Sequence, residues 1–190
     1  MPSPIVQQTV MACILSATSN LLAQFIKAHN NGQPFTPNPA PILKFIIFTA
    51  LNTPPNVLWQ HFLEEKFPGQ TIGQEGGEAK LKTEADPGPQ AAKAKQNWGN
   101  VACKFLLDQT VGAAVNTVAF LAGMEALRGG DWESCRAAVV DNYSDLATAG
   151  LKLWPLVSLI SFSVVPVNQR IVFGSLVGVA WGVYLSLLAA

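Results

Sequence analysis

Charged residues are scarce in this chain, at 13% of 190 residues against 49% hydrophobic residues. Soluble domains typically carry about 25% charged residues, so the composition argues against a water-soluble fold. The formal net charge is zero, and no helix combines a basic stripe with interleaved aromatic residues. The electrostatic basis of nucleic-acid binding is therefore missing, and we expect no nucleic-acid partner.

Cysteine and histidine are also few, and their spacing indicates no reactive centre. Cys13, Cys103 and Cys135 form no CxxC pair, so neither a disulfide framework nor a zinc site is expected. His29 and His61 belong to no motif that would place a serine or cysteine nucleophile beside them. We therefore predict that the protein is not an enzyme and holds no cofactor or metal.

Long stretches without any charged side chain dominate the sequence instead. A hydrocarbon core of about 30 Å needs roughly 20 mainly apolar helical residues. Every uncharged stretch except the third, 109–124, reaches that range by its own length. The third reaches it if Lys104 and Glu125 snorkel from its ends. The sequence therefore predicts an all-α fold, a multi-pass transmembrane helical bundle of about four spans in one domain. The uncharged stretches are 1–26, 45–63, 109–124, 153–169 and 171–190.

The first three spans are predicted at 5–26, 42–63 and 101–127. The second span contains Pro54-Pro55, whose missing amide donors predict a kink or an unwound turn at mid-depth. The third ends at Gly129-Gly130, a sequence suited to a helix C-cap. We therefore expect the second span to be interrupted and the third to stop sharply.

The last apolar region, 153–190, is too long for one crossing. As a single helix it would be about 57 Å long, nearly twice the thickness of the hydrocarbon core. Pro166 removes a helical hydrogen bond, and the polar residues Asn168, Gln169 and Arg170 follow it. The break is therefore predicted at Pro166. One span plus a re-entrant piece and two short spans both fit this pattern.

Two other segments are predicted to lie outside the hydrocarbon. Residues 70–96 are rich in Gly, Ala, Lys and Glu and offer almost nothing to bury. This composition predicts a disordered polar loop inserted between the second and third spans. Residues 131–150 have the pattern of an amphipathic helix that begins at an Asp131 N-cap and lies at the membrane surface.

Polar and small residues recur at every fourth position along each span. Side chains four apart lie on one face of a helix, so each span offers one polar or small face and otherwise apolar sides. Such faces are expected to turn toward the inside of a bundle. The stripes are Ser16, Asn20 and Gln24; Asn52, Asn56 and Gln60; Lys104, Asp108, Gly112 and Asn116; and Arg170, Gly174, Gly178, Gly182 and Ser186.

Two interpretations of these faces remain open from the sequence. In the first, the amides and hydroxyls join helices, Lys104 pairs with Asp108, and the glycine stripe packs closely against another helix or a second copy of the chain. In the second, the faces line a hydrated path, because ionisable residues at membrane depth tend to mark routes for solutes. Asp108 and Arg170 are the strongest candidates for such a path.

The chain also carries a distinctive series of motifs. WP begins the last apolar region, VP and an arginine mark its break, and a tryptophan followed by YLS lies near its end. Three other segments are equally distinctive: ILSATSNLLAQ at 14–24, TPPNVLWQHFLEEKFPG at 53–69 and LLDQTVGA at 106–113. The residues of the C-terminal series are Trp154, Pro155, Phe162, Val165, Pro166, Arg170, Trp181, Tyr184, Leu185 and Ser186.

Together these motifs resemble the Mpv-seventeen / twenty-two-kilodalton peroxisomal membrane protein family, over nearly the whole chain except 70–96. The resemblance implies a small integral membrane protein of peroxisomal or inner mitochondrial membranes, usually described with four spans. It also implies one of two roles. Some members of the family are described as weakly selective channels for small solutes, and others are linked to organelle maintenance.

The leading hypothesis is a non-enzymatic organelle membrane protein whose bundle passes small hydrophilic metabolites or regulates their passage. The alternative is a membrane scaffold or tether without a path. The chain does not begin with a basic presequence, which favours the peroxisomal membrane over the mitochondrial inner membrane. The expected partners are the lipid bilayer, small metabolites and, through the glycine stripe, a second copy of the chain.

Overall fold

The computed structural model of the chain describes residues 3–71 and 95–188, and these are helical apart from connecting turns and one short strand pair. The predicted all-α class is confirmed. The elements are α1 (Pro4–Asn30), α2 (Pro39–Lys66), β1 (Gln70–Thr71), β2 (Lys95–Gln96), α3 (Trp98–Leu107), a π-helical turn (Asp108–Gly112), α4 (Ala113–Arg128), α5 (Trp132–Gly150), α6 (Trp154–Val164), a 3-10 turn (Val167–Gln169) and α7 (Arg170–Leu188).

The connection between α4 and α5 has the predicted cap chemistry. Gly129 has φ of 94°, a left-handed conformation that favours glycine, and it ends α4. The Asp131 carboxylate accepts a hydrogen bond from the backbone N–H of Ser134 at 2.9 Å and begins α5. The backbone and hydroxyl bonds from Ser134 hold the pKa of this exposed carboxyl below its ordinary value. The caps predicted at Gly129 and Asp131 are therefore confirmed.

Helix α2 stays helical through Pro54-Pro55, so the unwound turn predicted there as one alternative is absent. The kink, the other alternative, stays a prediction. Proline removes backbone donors, but its own φ is compatible with a helix. Neighbouring helices often hold such a segment together within a bundle. Here Thr53 and Val57, on either side of the pair, are both buried, so packing against neighbours supports the helix where backbone bonds are missing.

The predicted loop 70–96 is shorter at both ends than the sequence indicated. Gln70 pairs with Gln96 and Thr71 pairs with Lys95 in an antiparallel ladder, and the Asn97 N–H donates to the Gly69 carbonyl at 2.9 Å. These four strand residues are therefore ordered, which corrects the prediction of disorder for them. The rest of the segment, 72–94, lies outside the described residues.

The break predicted at Pro166 is confirmed. Helix α6 ends at Val164, Pro166 has the extended ψ of 143°, and α7 begins at Arg170 after the 3-10 turn. Helix α6 has 11 residues and is therefore only about 16 Å long, too short to cross a bilayer alone. The connection 165–169 is named the α6–α7 corner below.

By length and composition, two helices in the described part of the chain can cross a membrane, Pro4–Asn30 and the continuous helix Trp98–Arg128. Helices α5 and α6 would form a third span if they are counted together, although they are bent by 57° relative to each other. The predicted arrangement of about four spans is compatible with this count and stays a prediction.

The distribution of side chains is the reverse of that in a soluble protein. Large apolar residues are exposed on the outer faces of the helices, while Lys104 is fully buried and Arg170 is only 6% exposed. In water such an arrangement would be unfavourable, whereas in a bilayer the apolar faces meet lipid and the polar groups meet one another. Representative outer residues are Val10, Leu51, Val115 and Val164, which are 54%, 70%, 62% and 78% exposed.

Helix α5 is the exception to this apolar exterior. It packs against α4 and has no fully buried residue. Its outward face exposes Glu133, Asp141 and Ser144, side chains suited to water rather than lipid. The predicted amphipathic helix is thus present. The remaining helices pack α1 against α2 and α7, α3 against α6, and α2 against α4.

Candidate functional site

The polar stripes of α2 and of the continuous helix α3–α4 face each other. The two stripes run in opposite directions, so the first residue of one lies beside the last residue of the other. The stripe on α2 extends one turn further than the sequence analysis proposed, to Glu64. We name these facing residues the polar column: Asn52, Asn56, Gln60 and Glu64 on α2, and Lys104, Asp108 and Asn116 opposite them.

Three asparagines form one end of the polar column. Asn52 Nδ2 and Asn56 Nδ2 donate to Asn116 Oδ1 at 3.2 and 2.9 Å. Asn116 Nδ2 returns a bond to Asn56 Oδ1 at 2.9 Å and also donates to the Gly112 carbonyl at 3.0 Å. These amides hydrogen-bond to one another. This end of the column is therefore uncharged, and its side chains connect α2 to α4.

Asp108 lies in the middle of the column and accepts bonds from neutral donors on neighbouring helices. Its Oδ1 accepts from Trp59 Nε1 at 3.3 Å and from Gln60 Nε2 at 3.2 Å. Its Oδ2 accepts from the Ser158 hydroxyl of α6 at 2.7 Å, and Gln109 Nε2 donates to the same hydroxyl at 2.8 Å. Asp108 therefore links α2 and α6 to the helix that carries it.

The π-helical turn begins at Asp108, and the sequence analysis did not predict it. Single π turns within α-helices occur frequently at functional sites. The last residue of the turn, Gly112, lies against Trp59, since a Cβ added to it would be 3.0 Å from Trp59 Nε1 and 3.3 Å from Asp108 Oδ1. Glycine is required here so that the indole can reach the carboxylate.

The other end of the polar column is charged. Glu64 Oε2 accepts from Lys104 Nζ at 2.7 Å and from Arg170 Nη2 at 2.6 Å, while its Oε1 accepts from the Gly69 N–H at 2.8 Å. The Lys104 side chain is fully buried, the Arg170 side chain is 5% exposed and that of Glu64 is 28% exposed. We name Glu64, Lys104 and Arg170 the charge cluster.

Arg170 and Phe162 complete the surroundings of the charge cluster. Arg170 Nε donates to the carbonyls of Ser161 and Val165 at 3.3 and 3.1 Å. The Phe162 ring lies near both cations, 5.5 Å from Lys104 Nζ and 5.0 Å from Arg170 Cζ, distances at which the ring face attracts a cation. Phe162 also packs in a small apolar core. The cluster thus rests on buried apolar packing.

The predicted pair between Lys104 and Asp108 is wrong. Lys104 donates across to Glu64, and Asp108 accepts from neutral side chains. Glu64 was not predicted to share this face because the second span was predicted to end at residue 63. The spacing of four after Gln60 was the signal that could have found it.

The stripe on α1 does not join the polar column. The Ser16 hydroxyl donates to the Phe45 carbonyl at 3.4 Å and accepts from the Thr49 hydroxyl at 2.9 Å. Gln24 Nε2 donates to Asn20 Oδ1 at 2.8 Å and to the Asn38 carbonyl at 3.0 Å. These bonds form a separate seam between α1, α2 and their connection, as expected of residues that hold a helical hairpin together.

Gly174 and Gly178 of the α7 glycine stripe make no close contact among the described residues. A Cβ added at Gly174 or Gly178 would meet nothing within 4 Å, so the close helix contact expected there is absent from the part of the chain that the structure describes. Gly182 and Ser186 lie further along α7, where side chains are not described. Among the motif residues, Trp154 and Pro155 begin α6, Pro166 marks the corner, and Trp181 lies in α7.

The polar column is closed in this conformation. Its side chains hydrogen-bond to one another, and two grooves among the described residues lie elsewhere, with volumes of about 410 and 440 Å³. One groove borders the α6–α7 corner, and the other lies between α4 and α5. Gln60 Oε1 and Arg170 Nη1 are buried without a partner in the described ranges. Those ranges also contain no group of three metal-ligating side chains.

Comparison with known proteins gives consistent matches. The family model described as Mpv17 / PMP22 family matches residues 125–186. PXMP2/4 family protein 3 of Dictyostelium discoideum is 39% identical over 97 residues, 50% of this chain and 48% of that protein. Mpv17-like protein of Bos taurus is 34% identical over 87 residues, 45% and 42% of the two chains.

A fungal relative extends the comparison. Protein SYM1 of Eremothecium gossypii is 28% identical over 90 residues, 47% of this chain and 50% of that protein. The chain thus spans about half the length of the curated relatives it matches. No solved structure matches it.

Proposed function

We propose that this chain, which matches the Mpv17 / PMP22 family of membrane proteins over residues 125–186 and resembles curated relatives of that family, provides a regulated path for small hydrophilic solutes across an organelle membrane. In this proposal the protein is not an enzyme, and the helical bundle itself is the path. The polar column between α2 and α3–α4 lines it. The residues of the α1 stripe have a structural role only.

The polar column is the observation that carries the proposal. A charged end, a half-buried carboxylate and an asparagine end follow one another between two apolar-faced helices. Polar and ionisable side chains at membrane depth are costly, and they tend to line routes for ions and solutes. Simple helix packing would be served by small residues, such as those that α7 leaves unpacked.

Opening requires α2 and α3–α4 to separate from the asparagine end of the column to Asp108, while Lys104 stays paired with Glu64. Hydrogen bonds between helices in a membrane are worth about 0.6 kcal/mol each on average. Losing a handful of them therefore costs roughly 3 kcal/mol, within the range of a minor conformation that is populated at about 0.1–10%. The closed arrangement is thus compatible with brief opening.

Planar bilayers containing the purified protein test the path directly. We expect discrete conductance, and we expect Asp108→Asn to alter its amplitude or opening because this carboxylate lies in the middle of the column. The matched control is Asp141→Asn, which removes a carboxylate exposed on α5 and should leave conductance unchanged. Silent bilayers containing well-folded wild-type protein would contradict the proposal.

A membrane tether is the second candidate, favoured by the polar outward face of α5. The strand pair offers a clean test, because replacing 72–94 by Asn-Gly should join β1 to β2 through a two-residue turn. If the bundle is a solute path, the protein should conduct as before after this replacement. A tether that binds its partner through the inserted segment should lose the partner and the organelle phenotype.

We place the protein in the peroxisomal membrane, with the mitochondrial inner membrane as the alternative. Co-localisation of the tagged protein with markers for the two organelles tests this placement. Signal with the mitochondrial marker alone would contradict it.

A further inference from the structure

We propose that Glu64 and Arg170 form a latch that holds the α6–α7 corner against α2 and keeps the polar column closed. The inference rests on the solute path proposed above and concerns its regulation. Its basis is one carboxylate oxygen, Glu64 Oε2, which binds two cations from different parts of the chain.

The two cations tie different elements to α2. Lys104 belongs to α3, whose first turn is already joined to the end of α2 by the bond between Asn100 Nδ2 and the Pro68 carbonyl at 2.9 Å. Arg170 belongs to α7, which packs mainly against α1 and only slightly against α2. The ion pair with Glu64 is therefore the main polar connection between the start of α7 and α2.

Arg170 moves with the corner rather than independently of it. Its Nε donates hydrogen bonds to the backbone carbonyls of Ser161 and Val165. These hydrogen bonds hold the guanidinium at the end of α6. The pair between Arg170 and Glu64 consequently holds the whole corner, with the last turn of α6, against α2. Release of that pair would free the corner as a unit.

The charges favour release of Arg170 over release of Lys104. One carboxylate serves two cations, so whichever cation leaves, the other keeps a one-to-one pair with Glu64. A released Lys104 would leave a fully buried ammonium group without a partner, which is strongly unfavourable. A released Arg170, at the first residue of α7, has a long side chain that can reach toward water. Arg170 is thus the movable member of the cluster.

Helix α6 connects the latch to the column. Ser161, which accepts from Arg170, lies one turn after Ser158, which donates to Asp108 at 2.7 Å. A shift of α6 with the freed corner would withdraw the Ser158 hydroxyl from Asp108. The middle of the column would then lose its tie to α6 and could open.

Two matched variants test the latch, since each removes one cation from the same carboxylate. In planar bilayers with symmetrical KCl, Arg170→Gln should raise the open probability at least about fivefold over wild type, because the corner is freed. Lys104→Gln also changes a side chain that lines the path, so it should alter the amplitude of the conductance, but its rise in open probability should stay well below that of Arg170→Gln because Glu64 and Arg170 remain paired. Glu65→Gln, which changes an exposed neighbour, is the neutral control.

A third variant keeps the test informative if Arg170→Gln does not fold. Ser158→Ala removes no charge and interrupts the connection between α6 and Asp108, so it should also raise the open probability. Equal increases in Arg170→Gln and Lys104→Gln would overturn the latch, as would wild-type behaviour of both Arg170→Gln and Ser158→Ala. If wild type and every folded variant were silent, the solute path itself would fail and the latch with it.

Discussion

The α1 stripe and the polar column have the same spacing in the sequence but different partners in the structure. Ser16 and Gln24 bond mainly within the hairpin formed by α1 and α2, including backbone carbonyls at Phe45 and Asn38. The column residues bond side chain to side chain, between positions 40 to 64 residues apart. A polar stripe beside its hairpin partner therefore serves packing, whereas two stripes that meet create a polar interior.

The charged end of the column should give the largest loss of stability. Glu64→Gln leaves two buried cations without a carboxylate, and breaking a buried ion pair typically costs about 3–5 kcal/mol. Thermal unfolding of the purified protein in detergent measures this, with Glu65→Gln as the control. An unchanged melting temperature for Glu64→Gln would show that the charge cluster does not hold the fold.

The asparagine end should come next. Asn116→Ala removes its hydrogen bonds with the half-buried amides of Asn52 and Asn56, at a cost of about 1–3 kcal/mol. Asn142→Ala on α5 is the matched control, because its side chain bonds only the Ala138 carbonyl of its own helix. Equal losses of stability in the two variants would mean that the column is energetically no different from the surface.

The π-helical turn should respond to one added methyl group. Gly112→Ala places a carbon 3.0 Å from Trp59 Nε1, and such overpacking typically costs about 1–3 kcal/mol. Gly174→Ala makes the same change where there is open space and should be neutral or stabilising by up to about 1 kcal/mol, since alanine favours helix. Unfolding in detergent compares them, and a stable Gly112→Ala protein would argue against close packing at Trp59.

The α1 stripe should show the smallest effect. Ser16→Ala removes the hydroxyl that links Phe45 and Thr49, and we expect a loss near 0.6 kcal/mol, about the average for a hydrogen bond between membrane helices. Conductance should be unchanged, because this residue lies outside the column. A loss of conductance in a stable Ser16→Ala protein would break the distinction between the seam and the column.

Several features of the fold were accessible from the sequence because they depend on neighbouring residues. The caps at Gly129 and Asp131 and the break at Pro166 follow from backbone chemistry within one or two turns. The unwound turn predicted as one alternative at Pro54-Pro55 is not formed, although the same chemistry predicted it. There, packing around Thr53 and Val57 outweighed the missing donors.

The sequence predicted which residues of the candidate site share a helix face, but it did not predict which residues pair. The spacing of four identified which residues share a face, and six of the seven column residues were named from it. Glu64 was missed because the second span was predicted to end at residue 63. The partner of Lys104 was assigned wrongly, since Asp108 one turn away is the obvious local partner, while Glu64 is 40 residues distant in the chain.

The sequence alone determined that this chain is helical, apolar outside and marked by polar stripes, because helix periodicity and transfer from water to lipid act through local composition. Only the tertiary structure decided which stripes meet and that one carboxylate serves both Lys104 and Arg170. Those contacts depend on how helices distant in the chain are placed against one another. No short-range pattern specifies that placement when the pairs are up to 106 residues apart.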